Sequence, residues 1–329
     1  MWRLPADDLI VMAVFALPLP MSMPSPDRNL IIVHTPRRQA LDDFTGVKTL
    51  IAERAPEIDV FILANRHRHS VMRRQAATRP TLVFCPFPMS EFSPVRGKIY
   101  ADRRFTKIEE QQRLAAAGLP VPRTSGTVAQ VASDPSWGQF VVVKPALYSV
   151  QGRNVVLVRR IDLPRLGSNS ATPASVERQL LVQEFIDTGP FAESHRVMTV
   201  LGRPVYSIVS RSLTARPELS ADDQTVLPIA SNAGPRALEL NFEKDVIDLA
   251  REASRAFAEL PVLGVDVIRE ASTGRLFVLE VNPGVGAWHI SSTYAEAQRR
   301  EFNLDLHGQF GALDIIADAL IDVTRREAE

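Results

Sequence analysis

Residues 263–286 read LGVDVIREASTGRLFVLEVNPGVG, and how this stretch folds decides how the rest of the chain is arranged around it. Two apolar-rich runs, residues 265–269 and 276–281, flank Ser272, Thr273 and Gly274; a glycine there supplies the positive φ that a tight hairpin needs. Antiparallel pairing across that turn sets Asp266 near Glu280. Side chains two apart in a strand share a face, so Asn282 joins Glu280. Two carboxylates and an amide oxygen then converge beside an apolar sheet. Buried carboxylates are costly without a cation. An all-oxygen set suits magnesium, which takes one or two carboxylates together with phosphate oxygens and water. Taken alone, the stretch leaves open a plain hairpin whose acids face solvent.

Upstream of the hairpin the chain supplies positive charge at the ends of apolar runs. Residues 139–145, QFVVVKP, form a buried strand carrying Lys144. A loop containing Gly152 and a second strand, VVLVRR, follow it. A lysine and the backbone N–H groups of such a loop make a phosphate clamp, although a strand-end lysine is also commonly just solvated. Residues 102–118, DRRFTKIEEQQRLAAAG, predict a helix with Asp102 as its cap, Lys107 on it and Gly118 at its end. LLVQEFI is a third strand, and RVMTVLGRPVYSIVSRSL a hairpin turning at Gly202 and Arg203. Residues 213–235 are poor in apolar side chains and predict a surface loop. Residues 240–260 predict an amphipathic helix. Ahead of all this, NLIIVHT, DVFILAN and TLVFCPFP alternate with two helical segments, the pattern of a small open parallel sheet covered by helices. HTPRRQ follows the first of these strands in place of G-x-G-x-x-G, which argues against a nicotinamide-binding domain.

The expected class is therefore α/β, with residues 27–98 as an N-terminal lobe and residues 99–329 as the main domain. The main domain divides into a smaller nucleotide lobe (121–186) and a larger metal and substrate lobe (187–329). With 329 residues, 45% of them hydrophobic and 23% charged, the chain has ordinary globular composition. Lys+Arg and Asp+Glu stand at 38 each, a balance that predicts neither nucleic acid nor a membrane surface as partner. The single cysteine, Cys85, excludes an internal disulfide and suits a reducing cytosol, so a cytoplasmic location is expected. Lying in TLVFC, it reads as a small buried side chain. Residues 9–19, LIVMAVFALPL, are too short to span a bilayer and carry Pro18, with Asp7 and Asp8 just before them. Residues 1–26 read as an upstream extension or loosely attached arm, with Met21 or Met23 as plausible starts and a signal peptide as the alternative.

The order Lys107, VVVKP, a glycine-containing loop, VQEFI, a strand ending in Arg211, VDVIRE and LEVNPG resembles the ATP-grasp superfamily of carboxylate ligases. Within it the chain most resembles the branch of glutamate ligases that modify a ribosomal protein tail. The resemblance runs from about residue 96 to 292. It implies an ATP-grasp fold, ATP as cosubstrate and Mg²⁺, one or two ions, with Mn²⁺ as a substitute. It implies further that Lys107, Lys144 and the loop at Gly152 hold the phosphates, and that Gln183, Glu184, Phe185 and Ile186 line the adenine. Glu193 would accept the ribose hydroxyls, while Asp266, Glu280 and Asn282 would carry the metal. Arg196 and Arg211 would face the γ-phosphate and acyl group, the residues alone leaving open that either is a surface pair to Glu193 or Asp187; Arg211 or Arg269 would stabilise the oxyanion, and Asn232 would help with a second metal or the substrate. His289 is a candidate for the acceptor pocket, whereas His195 and Trp288 read as bystander and packing. The phosphate loop departs from the family in retaining one glycine, and Gly264 stands where the D-alanine ligase branch has an arginine.

The resemblance implies an amide-forming reaction. A carboxylate attacks the γ-phosphate of ATP, and an amine then displaces phosphate from the acyl phosphate. The substrates expected are small-molecule or peptide carboxylates and amines, a homo-oligomer being compatible with the chain. A small-molecule kinase or a catalytically silent nucleotide-binding module on the same scaffold are the alternatives. No residue is assigned as general base by the sequence.

Overall fold

Apolar strand runs near the N-terminus collapse into one parallel sheet: β1 (Arg28–His34), β2 (Ile58–Ala64), β3 (Thr81–Pro88) and β4 (Gly97–Asp102), in the order β2-β1-β3-β4. In this computed structural model the described residues are 25–36, 39–65, 68–89, 92–145, 155–168, 180–220, 226–229, 234–284, 288, 290 and 292–329. The strands are apolar on both faces because both are covered. Leu30 and Ile32 of β1 point toward α1 (Leu41–Arg54) and the C-terminal helix, whereas Ile31 and Val33 meet Met72 and Ala76 of α2 (Arg68–Ala76). Cys85 is buried on the α2 side, as its apolar surroundings suggest.

Beyond this sheet comes α3 (Lys107–Ala116). It starts four residues later than the sequence predicts. Thr106, not Asp102, is the cap: its hydroxyl accepts from Glu109 N at 3.2 Å, and the Glu109 carboxylate accepts from Thr106 N at 2.7 Å. This reciprocal pair satisfies two otherwise orphan donors. It leaves Asp102 at the end of β4.

An antiparallel sheet follows, built from β5 (Thr124–Ser125), β6 (Phe140–Pro145), β7 (Val156–Arg159) and β8 (Leu180–Glu184), with α4 (Val128–Ser133) and α5 (Leu163–Ser168) beside it. Val131 and Leu163 of these helices pack on Val141, Val143, Val158 and Val182. The larger antiparallel sheet contains β9 (Glu193–Val200), β10 (Arg203–Ser212), β12 (Arg236–Leu240), β13 (Val262–Arg269) and β14 (Leu276–Pro283), in the order β12-β10-β9-β13-β14. The β9–β10 turn falls at Leu201 and Gly202, one residue earlier than expected, both with positive φ. β11 (Leu227–Pro228), inside the expected loop, joins the edge of β7, and β12, which meets the expected helix only at Leu240, pairs with β10. Leu238 is buried while Glu239 is exposed, so alternation rather than helical spacing governs β12. The predicted helix begins at Lys244 as α6 (Lys244–Arg255).

The apolar stripe of α6, Val246, Leu249, Ala250 and Ala253, packs on Val197 of β9, Val265 and Val267 of β13 and Val278 of β14. One face of the large sheet is thereby sealed by a helix. Asp266, flanked by Val265 and Val267, belongs to the opposite face. At the C-terminus α7 (Thr293–Phe302) leads to α8 (Ala312–Glu327), which packs on α1. A single apolar cluster runs from Leu30 and Phe44 through Trp288 and Ile316 to Met198 and Tyr206, and fixes the first sheet against the large one.

Candidate active site

The hairpin forms as its turn dictates. Gly274 has φ +73°, and the register pairs Asp266 with Glu280 and Gly264 with Asn282, with a bulge after Asp266. The Asn282 amide nitrogen reaches both carboxylates, at 3.1 Å from Asp266 Oδ2 and 3.2 Å from Glu280 Oε1. Arg196, directly across from Asp266 on β9, donates through Nε at 2.7 Å and Nη2 at 2.6 Å to its two oxygens. That bidentate pair holds the guanidinium charge far above its ordinary range, the Asp266 charge outweighing the cost of burial.

Both lysines converge on these acids. Lys107 Nζ lies 2.9 Å from Glu280 Oε2 and 3.3 Å from Glu110 Oε2. Burial works against its charge, but Glu280 and Glu110 prevail and raise it. Lys144 is buried, and its ammonium donates to Gln183 Oε1 at 3.1 Å. Burial pulls Lys144 down, with Glu280 the main opposing charge. For Glu280, burial favours the neutral acid, yet Lys107 and Lys144 together hold the carboxyl at about 2. Lys107 of α3 thus pairs directly with the hairpin acid Glu280, and the charge of Lys144 on β6 acts on the same carboxyl.

Two further polar side chains belong to this cluster. Lys107, Glu110, Gln111 and Leu114 form the buried stripe of α3, at the i, i+3, i+4, i+7 spacing of one helix face. Gln111 Nε2 donates to Leu279 O at 2.8 Å and ties the helix to β14. Burial pushes the Glu110 carboxyl up to about 7, against the pull of Lys107. Counting three and four residues on from Lys107 identifies both positions.

Other expected residues lie elsewhere. Arg269 is three residues from Asp266 and therefore on the other face, where it binds Glu243 at 2.5 Å and Asp245 at 2.8 Å beside the start of α6. This corrects its expected place at the reacting centre. Arg211 and Glu193 are cross-strand partners joined at 2.5 Å. Alternation sets them on the face opposite Arg196, so neither the ribose nor the acyl role expected of them has support in their placement. His195 shares that face, buried 3.7 Å from Glu193 and 4.0 Å from Glu243. Glu184 accepts from the backbone N–H of Arg123 at 3.1 Å, the Phe185 ring lies under the Arg216 guanidinium at 5.0 Å, and Ile186 packs with Ile268 and Phe277. Trp288 is fully buried, stacked on Phe44 and bonded to Asp43 at 3.1 Å. Gly152, Arg153, Asn154, Asn232, His289 and residues 1–24 of the expected arm lie outside the described residues.

The donor set fits a hard divalent ion. Asp266, Glu280 and Asn282 offer only oxygen once the carboxamide is turned over, a flip that conserves volume. Among the described residues no three His, Cys, Asp or Glu side chains are placed to hold an ion by themselves.

One parallel and two antiparallel sheets, with lysines gathered at a carboxylate hairpin, make a mixed α/β architecture consistent with the ATP-grasp fold. The chain belongs to the RimK-like ATP-grasp domain family, whose model matches residues 107–298; its class is that of the ATP-dependent carboxylate–amine ligases. Similar folds are found in the ATP-grasp ligase PsnB complexed with minimal precursor, Mg and ADP, and in PsnB complexed with precursor peptide PsnA2 and AMPPNP. Each is 17% identical, covers 90% of this chain and 98% of its own, and has a TM-score of 0.52. The macrocyclase MdnC from Microcystis aeruginosa MRC, bound with precursor peptide MdnA, is 14% identical over 89% of this chain and 99% of its own, with a TM-score of 0.48. No curated protein matches the chain. No helix among the described residues is long and apolar enough to cross a membrane.

Proposed function

We propose that the cleft binds ATP with its phosphates between Lys107 and Lys144 on one side and Asp266, Glu280 and Asn282 on the other, and activates a carboxylate for amide formation. The observation that carries this reading is the approach of the Lys107 ammonium to Glu280 at 2.9 Å, with the charge of buried Lys144 near enough to lower the same carboxyl. Without nucleotide, three cations (Lys107, Lys144, Arg196) stand against three acids (Glu110, Asp266, Glu280). A polyphosphate with its divalent ions enters such a set without leaving a net buried charge.

In the reaction, a carboxylate oxygen of the donor attacks the γ-phosphorus, the bond to the β–γ bridging oxygen breaks, and ADP leaves. The amine nitrogen then attacks the acyl carbon and inorganic phosphate departs with the C–O electron pair. Lys107 and Lys144 neutralise the phosphates, and Gln183 holds the Lys144 ammonium in place. Arg196, fixed by both oxygens of Asp266, keeps a permanent positive charge beside the transferring group. Magnesium at Asp266, Glu280 and Asn282 would supply Lewis-acid stabilisation of phosphoryl charge. Most of the rate comes from positioning and preorganised charge. The peptide complexes of PsnB make a peptide carboxylate or amine the first substrate class to try. ADP release from ATP and Mg²⁺, screened over amino acids and short peptides, tests the proposal: release that depends on both a carboxylate and an amine supports it, and release with an alcohol alone, giving a stable phosphoester, indicates a kinase.

A further inference from the structure

Amide formation needs a group to take the proton of the incoming ammonium, and none of the residues above is free to do so. Glu280 and Asp266 are engaged by cations, and Glu110 is bonded to Lys107. At the end of β4, however, stands a carboxylate of a different kind. Asp102 lies against the turn that leaves the hairpin: Gly284, two residues past Asn282, has φ +82°, and a Cβ built on it would sit 2.3 Å from Asp102 Oδ2 and 3.1 Å from Pro86 O. The N-P-G sequence is thus required by close approach as well as by backbone conformation. The carboxylate occupies the space a side chain would fill.

Asp102 Oδ1 is buried and has no hydrogen-bond partner among the described residues. A buried acceptor without a donor is costly, and its persistence calls for a cause such as a role in the chemistry or a partner that is not part of the chain. Its place is also suited to a substrate, since the carboxyl ends of parallel strands form the usual ligand-facing edge of an open α/β sheet. Here that edge adjoins the metal-side hairpin.

Resting on the ligase reading, the geometry points to Asp102 as the proton acceptor for the amine substrate, with Oδ1 receiving an N–H of the incoming ammonium. Burial raises this carboxyl to about 6, against the backbone N–H of Arg103 and the charge of Arg104, which lower it. A base in that range is ionised at neutral pH and still basic enough to work. The balance closes. The ammonium gives one proton to Oδ1 and its lone pair forms the bond to the acyl carbon. The C–O bond to phosphate breaks, and the second N–H proton leaves with the phosphate. The proton on Asp102 then passes to solvent as the product departs.

The test uses the full chain with ATP, Mg²⁺ and the carboxylate that gives the most ADP in the screen, and compares two nucleophiles. One is the amine selected in that screen, which arrives protonated. The other is hydroxylamine, which is uncharged at neutral pH and needs no proton removed before attack. Asp102→Asn is expected to slow amide formation by about 100-fold while hydroxamate formation stays within about threefold of the parent. Asp102→Ser, a second uncharged variant, should show the same split. Equal loss with both nucleophiles overturns the inference, because it would mean that Asp102 only props the Gly284 turn. Unchanged amide formation in either variant overturns it as well. If the parent chain gives neither hydroxamate nor ADP with any pair, the failure lies with the ligase reading itself.

Discussion

Replacing Glu280 with Gln removes the acid that both lysines share, and the structure sets the size of the effect. The carboxyl is held at about 2, against 4.5 for an unperturbed glutamate, a difference worth about 3 kcal/mol. Because the folded value is the lower one, that stabilisation is complete above pH 4.5 and is lost as pH falls toward 2. Glu280→Gln is therefore expected to lower unfolding free energy by about 3 kcal/mol at pH 7 and by about 1 kcal/mol less at pH 4. The loss is not doubled by the lysines. Lys107 keeps Glu110 at 3.3 Å, and Lys144, already pulled down by burial, sheds its proton more easily when its main counter-charge is gone. ADP release should fall to background, since a carboxamide neither balances the lysines nor offers a charged metal ligand. Urea unfolding of parent and variant at both pH values, with ADP release in parallel, measures all of this. A variant within 0.5 kcal/mol of the parent at pH 7, or one that still turns over ATP, would refute the charge arrangement described for the cleft.

Glu110 carries the opposite sign. Its folded value of about 7 lies above 4.5, so its contribution to stability declines as pH rises from 4.5 to 7 and is constant beyond. Glu110→Gln should remove a slope of about 3 kcal/mol across that window, leaving the variant relatively more stable at pH 8 than at pH 5, as paired urea midpoints would reveal. Arg269→Ala should leave the kcat/KM for ATP within about twofold and cost under about 1 kcal/mol of stability, the size typical of partly exposed ion pairs. A hundredfold loss of turnover would return Arg269 to the reacting centre.

How much of this cleft the sequence reveals depends on the range of the interaction that builds each part. Asp266, Glu280 and Asn282 were legible because a hairpin is local: Gly274 fixes the turn, the turn fixes the register, and the two-residue period fixes the face. Lys144 and Gln183 were legible as positions in apolar runs too short for helices. The same period also bears on Arg269, since an odd separation from Asp266 already sends it to the other face, and a motif-based role gave way to that geometry. For Arg211 and Glu193 the sequence left a site role and a surface pair both open, and the residue-for-residue pairing of β9 with β10 makes them partners of each other. The start of α3 turned on a choice between two caps, Asp102 and Thr106. Thr106 has Glu109 three residues on, the reciprocal arrangement that wins locally.

Asp102 marks where sequence reading stops. Nothing near it in the chain signals a site; its significance comes from meeting Gly284, 182 positions away, across the junction between two sheets. A carboxylate freed from capping a helix and set against a glycine turn is a tertiary product, assembled only when α1 and α8 lock the parallel sheet onto the large one. The cluster that does this contains no polar group of the cleft, so packing and chemistry are specified by different residues. The charge cluster that would grip phosphates is thus written largely in local sequence, whereas the carboxylate assigned to the amine exists only in the folded chain.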